Sequence, residues 1–214
     1  MLDGNIARIS RIPPDKAERI LDAGMREFCR GFKVASTDVI ADRSGISKGL
    51  LFHYFGTKSS LFWFLLRSAA ALVSSKFISL IDFGEPDLLR RLLQTTYLRL
   101  EFCGEHPAVL GFVSAVSRST EPAMADAKAW LSEKLGVNPT DESFLYSGVA
   151  MDRFRPDIDP DDAAAIIRHA ATSFLETELA KQAGSKPALE RVCGIMDGLQ
   201  RYVDLFRKTF YAIN

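Results

Sequence analysis

Apolar side chains along this chain recur at alternating steps of three and four, and no stretch alternates apolar with polar over the length of a strand. The pattern therefore predicts helices throughout. In "DKAERILDAGMREFCRGF", Ala17, Ile20, Leu21, Gly24, Met25 and Phe28 form one stripe, with Asp15 near its start and Gly31 as its stop. Ser36 is placed to cap a short second helix from Thr37 to about Ser44, which Gly45 ends. Ser47 caps a third helix closing near Phe55, and a fourth runs from Lys58 to about Leu80. Longer helices are expected at roughly 86–104, 107–118, 121–135, 141–151, 161–182 and 187–211, each opened by Pro, Asp or Glu. The expected fold is all-α: a flexible tail (1–14), a three-helix helix-turn-helix head (15–60) and a larger C-terminal helical domain for effector binding and dimerisation (61–214).

Two short helices joined by a turn on Gly45 make a helix-turn-helix. If Leu51 is the centre of the buried face of the third helix, Phe55 joins it one turn later, and Gly49, Leu50, Phe52 and His53 point away. That outward face carries a ring, an imidazole and a bare backbone where a solvated face would carry Glu or Lys. Lys48, Tyr54, Lys58 and the backbone N–H groups that begin the second and fourth helices surround it with donors suited to phosphates.

From about Ala17 to Leu61 the chain resembles the DNA-binding domain of the TetR family of bacterial transcription regulators. The residues that carry the likeness are the ILDAG-type first helix with Phe28, "GF" at 31–32, Ser36, "IA" at 40–41, "SGISKG" at 44–49, "HYF" at 53–55 and Lys58. The "RPDIDPDDAA" turn at 155–164 is also similar to family members. The resemblance implies phosphate contacts by Ser36 or Thr37, Tyr54 and Lys58, and groove contacts by Lys48, Gly49, Leu50 and His53. Leu50 stands where the family often has a small or hydroxyl residue, and Phe52 where it often has Tyr. An apolar contact to a thymine methyl at Leu50 would replace one hydrogen bond.

Bulk composition alters this picture only locally. Charges balance over the whole chain, but residues 1–60 hold ten Lys or Arg against seven Asp or Glu, so the basic part coincides with the head. Cys29, Cys103 and Cys193 lie far apart with no CxxC spacing, and the N-terminus lacks an apolar leader. A reducing, cytoplasmic setting is expected. The most apolar window, Leu61 to Val73, is interrupted by Arg67 and is shorter than the roughly 20 residues a bilayer span needs. His106 and His169 have no further ligand at metal spacing, and no phosphate loop, GxSxG elbow or HExxH occurs. No metal, cofactor or catalysis is expected. The rival reading is a helical protein- or membrane-surface interaction module that docks through "LFWFLLRSAAALV" and does not bind specific DNA.

The last helix carries an apolar stripe from Val192 through Met196, Leu199, Val203 and Phe206 to Phe210, and its predecessor carries Ala163, Ile167, Ala171, Phe174 and Leu175. These predict a four-helix dimer interface built on Ile167, Phe174, Met196, Leu199 and Val203; the alternative is that they close the chain's own core. The family resemblance also implies an effector cavity, for which Tyr97, Phe102, His106, Ser114, Trp130 and Phe144 are the candidate lining residues. The expected partners are double-stranded operator DNA, a second copy of the chain and a small, mostly hydrophobic effector. Its binding would shift the long helix at 58–80 and with it the spacing of two recognition helices.

Overall fold

Three hydroxyl side chains start three consecutive helices. Ser36 accepts from the Val39 N–H, Ser47 from Leu50 and Thr57 from Ser60. Each satisfies one of the backbone donors that a helix start leaves unpaired. The computed structural model describes residues 12–137, 144, 146–181 and 188–212. Most of the expected tail, with Arg8 and Arg11, lies outside them.

In chain order the helices are α1 (Pro14–Phe28), α2 (Thr37–Ser44), α3 (Lys48–Phe55), α4 (Lys58–Lys76), α5 (Leu88–Glu105), α6 (Pro107–Arg118), α7 (Ala125–Leu135), α8 (Pro160–Lys181) and α9 (Ala188–Phe210). Among the described residues there is no β-strand, only an isolated antiparallel bridge between Phe154 and Tyr211. The all-α class is as the sequence predicts. One expected helix is missing: of 141–151, residues 141–143 and 145 lie outside the described residues, and the remainder is turn and 3-10 structure. Gly148 there takes φ 75°, in the left-handed region that ends helices, and the Ala150 N–H donates to the Pro86 carbonyl at 2.8 Å, not to a helical neighbour.

The chain forms two compact units, Met1–Ser79 with Glu105–Glu142, and Leu80–Gly104 with Ser143–Asn214. The first therefore holds the three-helix head together with α4, α6 and α7. Its core is built from Ile20, Met25 and Phe28 of α1, Ile40 of α2, Leu51 and Phe55 of α3, Leu61, Phe62, Leu65 and Leu66 of α4, and Phe112 of α6, all buried. Gly24 lets α1 and α4 approach: a Cβ there would stand 2.7 Å from Leu65 Cδ1. The run Phe62–Trp63–Phe64, which one helical stripe cannot bury, is covered on two sides. Phe62 meets Phe28, Phe32 and Phe112 at 5.3, 5.4 and 5.8 Å, Trp63 meets Trp130 edge-on at 5.7 Å, and Phe64 lies 5.2 Å from Phe55.

Counted from Lys58 through Leu80, the α4 segment has 23 residues and is apolar enough to cross a bilayer by length and composition, contrary to the shorter window expected from Leu61–Val73. Its apolar positions are already used: Leu61, Phe62, Leu65, Leu66, Ala69, Ala70 and Val73 are buried in the first unit. This is the pattern of a core helix, and it leaves the docking-helix reading without an apolar face to offer.

The second unit is centred on Leu100, Leu175 and Ile195, with Phe174, Val192 and Met196 packed against them. Its buried polar anchor is Asp87, which receives the N–H groups of Leu89 and Arg90, the Arg153 and Arg207 guanidinium groups at 3.2 and 3.1 Å, and the Tyr211 hydroxyl at 3.1 Å. Ile167, Leu199 and Val203 are buried within this unit, which corrects their assignment to a dimer seam: their side chains fill the chain's own core. Phe174 and Met196 are only partly buried. The large apolar side chains that α8 and α9 leave exposed are Ile166 (52%), Leu179 (48%), Tyr202 (39%) and Leu205 (57%).

Candidate nucleic-acid interface

The turn between α2 and α3 is closed by backbone geometry. Gly45 takes φ 67°, its N–H donates to the Asp42 carbonyl at 3.0 Å, and the Ile46 N–H donates to Ala41 at 3.1 Å, a paired closure that ends α2 and sets the direction of α3. Arg19 of α1 reaches across to donate from Nε to the Ser44 carbonyl at 3.1 Å, so the C-terminal end of α2 has a cationic partner. Leu51 and Phe55 anchor α3 in the core, and the expected outward face follows. Gly49 and His53 are exposed, and Leu50, Phe52 and Tyr54 are half-buried.

Gly49 matters for what it lacks. A Cβ built there would meet nothing nearer than Ser47 Oγ at 4.0 Å, so nothing inside the chain requires a glycine at this position. A bare backbone on an exposed recognition face lets another surface come close. Lys48 is exposed and pairs with Asp38 of α2, its Nζ 2.8 Å from Oδ1. Such surface pairs contribute about 0–1 kcal/mol, so a phosphate can take the ammonium over. Lys58 donates to the Lys33 carbonyl at 3.3 Å and sits 5.0 Å from the Phe32 ring centroid, which holds its ammonium beside the start of α4. The His53 and Tyr54 rings lie 5.8 Å apart, and Ser36 and Thr37 stand at the start of α2. The eight predicted DNA contacts thus all lie on α2, α3, α4 and their caps, within the first unit.

This geometry coincides with a known sequence pattern: the profile of bacterial regulatory proteins of the tetR family matches residues 20–63, which run from α1 through the recognition helix into α4. The chain belongs to the tetR family of bacterial regulatory proteins. As a TetR-family protein it is a transcription regulator with a DNA-binding helix-turn-helix. It is 25% identical over 159 residues to the HTH-type transcriptional repressor KstR2 of Mycolicibacterium smegmatis, covering 73% of this chain and 76% of that one. Among solved structures, a TetR-family transcriptional regulator from Chloroflexus aurantiacus superposes with a TM-score of 0.67 at 17% identity, over 96% of this chain and 97% of the other. The ketosteroid transcriptional regulator KstR2 of Mycobacterium tuberculosis superposes with a TM-score of 0.62 at 19% identity, over 95% and 98%. These two likenesses are of fold.

The candidate effector residues of this TetR-family chain are distributed over both units. In the first, His106 is the N-cap residue of α6 with Nε2 3.8 Å from the Glu105 carboxylate, Ser114 is half-buried on α6, and half-buried Trp130 meets Trp63. In the second, Phe102 is buried, Phe144 is half-buried, and Tyr97 is 42% exposed with its hydroxyl donating to Glu101 on the same helix. That exposure and partner place Tyr97 on the surface of its unit, a correction to its expected role as a polar tip inside a cavity. Sequence reasoning also passed over Glu27, a carboxylate on the buried face of α1. The signal was available, because a charged residue interrupts an otherwise apolar stripe there.

Proposed function

We propose that the protein represses transcription by binding a two-fold operator as a homodimer, and that a small, mostly hydrophobic effector releases it. The observation that carries this reading is the outward face of α3: Gly49 opens onto empty space beside exposed Lys48 and His53, on a helix held in place by Leu51 and Phe55. A helix-turn-helix reads a two-fold site with two heads about one DNA turn apart, so a second copy is needed. The exposed Ile166, Tyr202 and Leu205, with the partly buried Phe174 and Met196, supply apolar surface for that contact. The M. smegmatis relative is a repressor, which supports the direction of control. The effector acts on α4 and α6, which share a unit with the head, through His106, Ser114 and Trp130.

Selection of bound fragments from the source genome tests the reading, with footprinting to resolve the half-sites. Two protected half-sites and two chains per operator are expected; a single asymmetric footprint at one chain per site would count against the dimer. On the selected operator, Lys58→Ala and Tyr54→Phe should weaken specific and sheared DNA alike. The lysine change should make the slope of log affinity against log salt shallower by about 0.9, as removing one cation from one phosphate requires. His53→Ala should instead relax discrimination at one base position, by roughly 1–3 kcal/mol. Leu205→Arg, on an exposed position, should yield monomers by light scattering with the helical spectrum intact. A thermal-shift screen of hydrophobic compounds, ketosteroids included, should find ligands that both raise the melting temperature and release DNA.

A further inference from the structure

The start of α2 lacks part of the usual local cap. Ser36 accepts from Val39 N–H, but the third helical position is Val39 itself, an apolar residue, where a capping box would place a Glu or Gln to take the N–H of the cap residue. That donor goes elsewhere. The Ser36 N–H donates at 3.1 Å to Oε1 of Glu27, nine residues earlier on α1, and the same oxygen accepts from Arg30 Nη1 at 2.9 Å. Glu27 is 1% exposed, in a stripe otherwise made of Ile20, Ala23, Gly24 and Phe28. A buried carboxylate with a backbone N–H as its partner fixes geometry far more tightly than a surface pair, because losing the bond leaves a desolvated group unsatisfied.

We infer that Glu27 is a positioning residue for DNA binding: it completes the cap of α2 from α1 and so fixes Ser36 and Thr37 in the orientation that meets a phosphate. The inference rests on the reading of those two residues as phosphate-binding groups. Glu27 touches no nucleic acid itself. Its carboxylate spans the loop 29–35 and ties the end of α1 directly to the start of α2. Without it Ser36 can still accept from Val39, but the direction in which α2 begins is no longer tied to α1.

The test uses the full chain and three measurements. Glu27→Met fills the same volume without an acceptor, and Glu27→Gln keeps an oxygen for Ser36 while removing the charge. The Met variant should bind operator and sheared DNA several-fold more weakly, and equally so, with a salt slope shallower by about 0.9 for each phosphate that is no longer bound. Base preference at the His53 position should be unchanged, and the Gln variant should restore affinity and slope. A role confined to stability would lower the melting temperature of the Met variant and leave operator affinity and salt slope at 25 °C as in the parent; that result overturns the inference. In the unaltered protein the Ser36 amide should exchange with solvent as slowly as amides of α1, and exchange as fast as at Lys33 and Val34 overturns it even if the Met variant fails to fold. A parent chain with no salt-dependent DNA binding would remove the underlying reading and this inference with it. A parent that binds, beside a Met variant that binds identically, removes only the inference.

Discussion

Phe62→Ala is expected to destabilise the first unit by about 3–5 kcal/mol, the usual cost of emptying an aromatic core position. For a chain of this size that lowers the melting temperature by roughly 10 °C. Phe62 is 2% exposed and touches rings from α1, the following loop and α6 at once, so the cavity has no flexible wall to collapse onto. Differential scanning calorimetry checks the number, and a change under about 1 kcal/mol would mean that the cluster repacks. The same ring cluster leads to a second expectation. A fragment ending at residue 60 lacks Leu61, Phe62, Leu65 and Leu66, so the head should not fold alone, although its three helices are all present. Circular dichroism of that fragment should show little helix.

The second large effect is at Asp87. In Asp87→Ala, α5 loses its cap, at about 1 kcal/mol, and the buried Tyr211 hydroxyl loses its acceptor, at about another. Arg153 and Arg207 have side chains 44% exposed and can return to water, so their pairs add less than a buried ion pair would. The total is about 2–3 kcal/mol, and Asp87→Asn, which keeps one oxygen, should cost about half. Burial is the strongest single influence on the Asp87 carboxyl and pushes its pKa up. The hydrogen bonds from Arg207 and from the Arg90 and Leu89 N–H groups, with the charge of Arg207, outweigh it and leave the pKa below the ordinary value. A depressed folded pKa means that the ionised form is favoured by folding. The stabilisation is complete above the ordinary carboxyl range, near about 3.9, and is lost as pH falls through the lower folded value. Denaturant titrations at neutral pH and in this acidic window should therefore converge for parent and Ala variant; a difference that persists at low pH would contradict the assignment.

What could be read in the sequence followed how local the determinants are. The caps at Ser36 and Ser47, the turn on Gly45 and the inward side of α3 each depend on residues within four positions, and each is found where the spacing places it. The run Phe62–Phe64 was legible as a helix covered on two sides, though not which elements cover it. Long-range pairing was not legible. The stripe of Ile167, Leu199 and Val203 has the same spacing whether it meets a second chain or its own, and only the packing of the second unit decides between them. Glu27 and Ser36 are nine residues apart across a loop, beyond any helical period. The expected helix at 141–151 failed for a different reason: a hydrophobic pattern was present, but Gly148 and the Ala150–Pro86 hydrogen bond favoured a turn.

The edge-on pair of Trp63 and Trp130 makes the protein a self-reporting optical instrument. The chain has two tryptophans and both sit in the first unit, so emission excited at the red edge of the indole band comes from that unit alone. Two indoles with centroids 5.7 Å apart couple electronically, and their combined dichroic band should collapse when either ring turns. Unfolding of the head with its supporting helices can thus be timed without a label, while Tyr97, Tyr146, Tyr202 and Tyr211 report on the other unit at shorter wavelength.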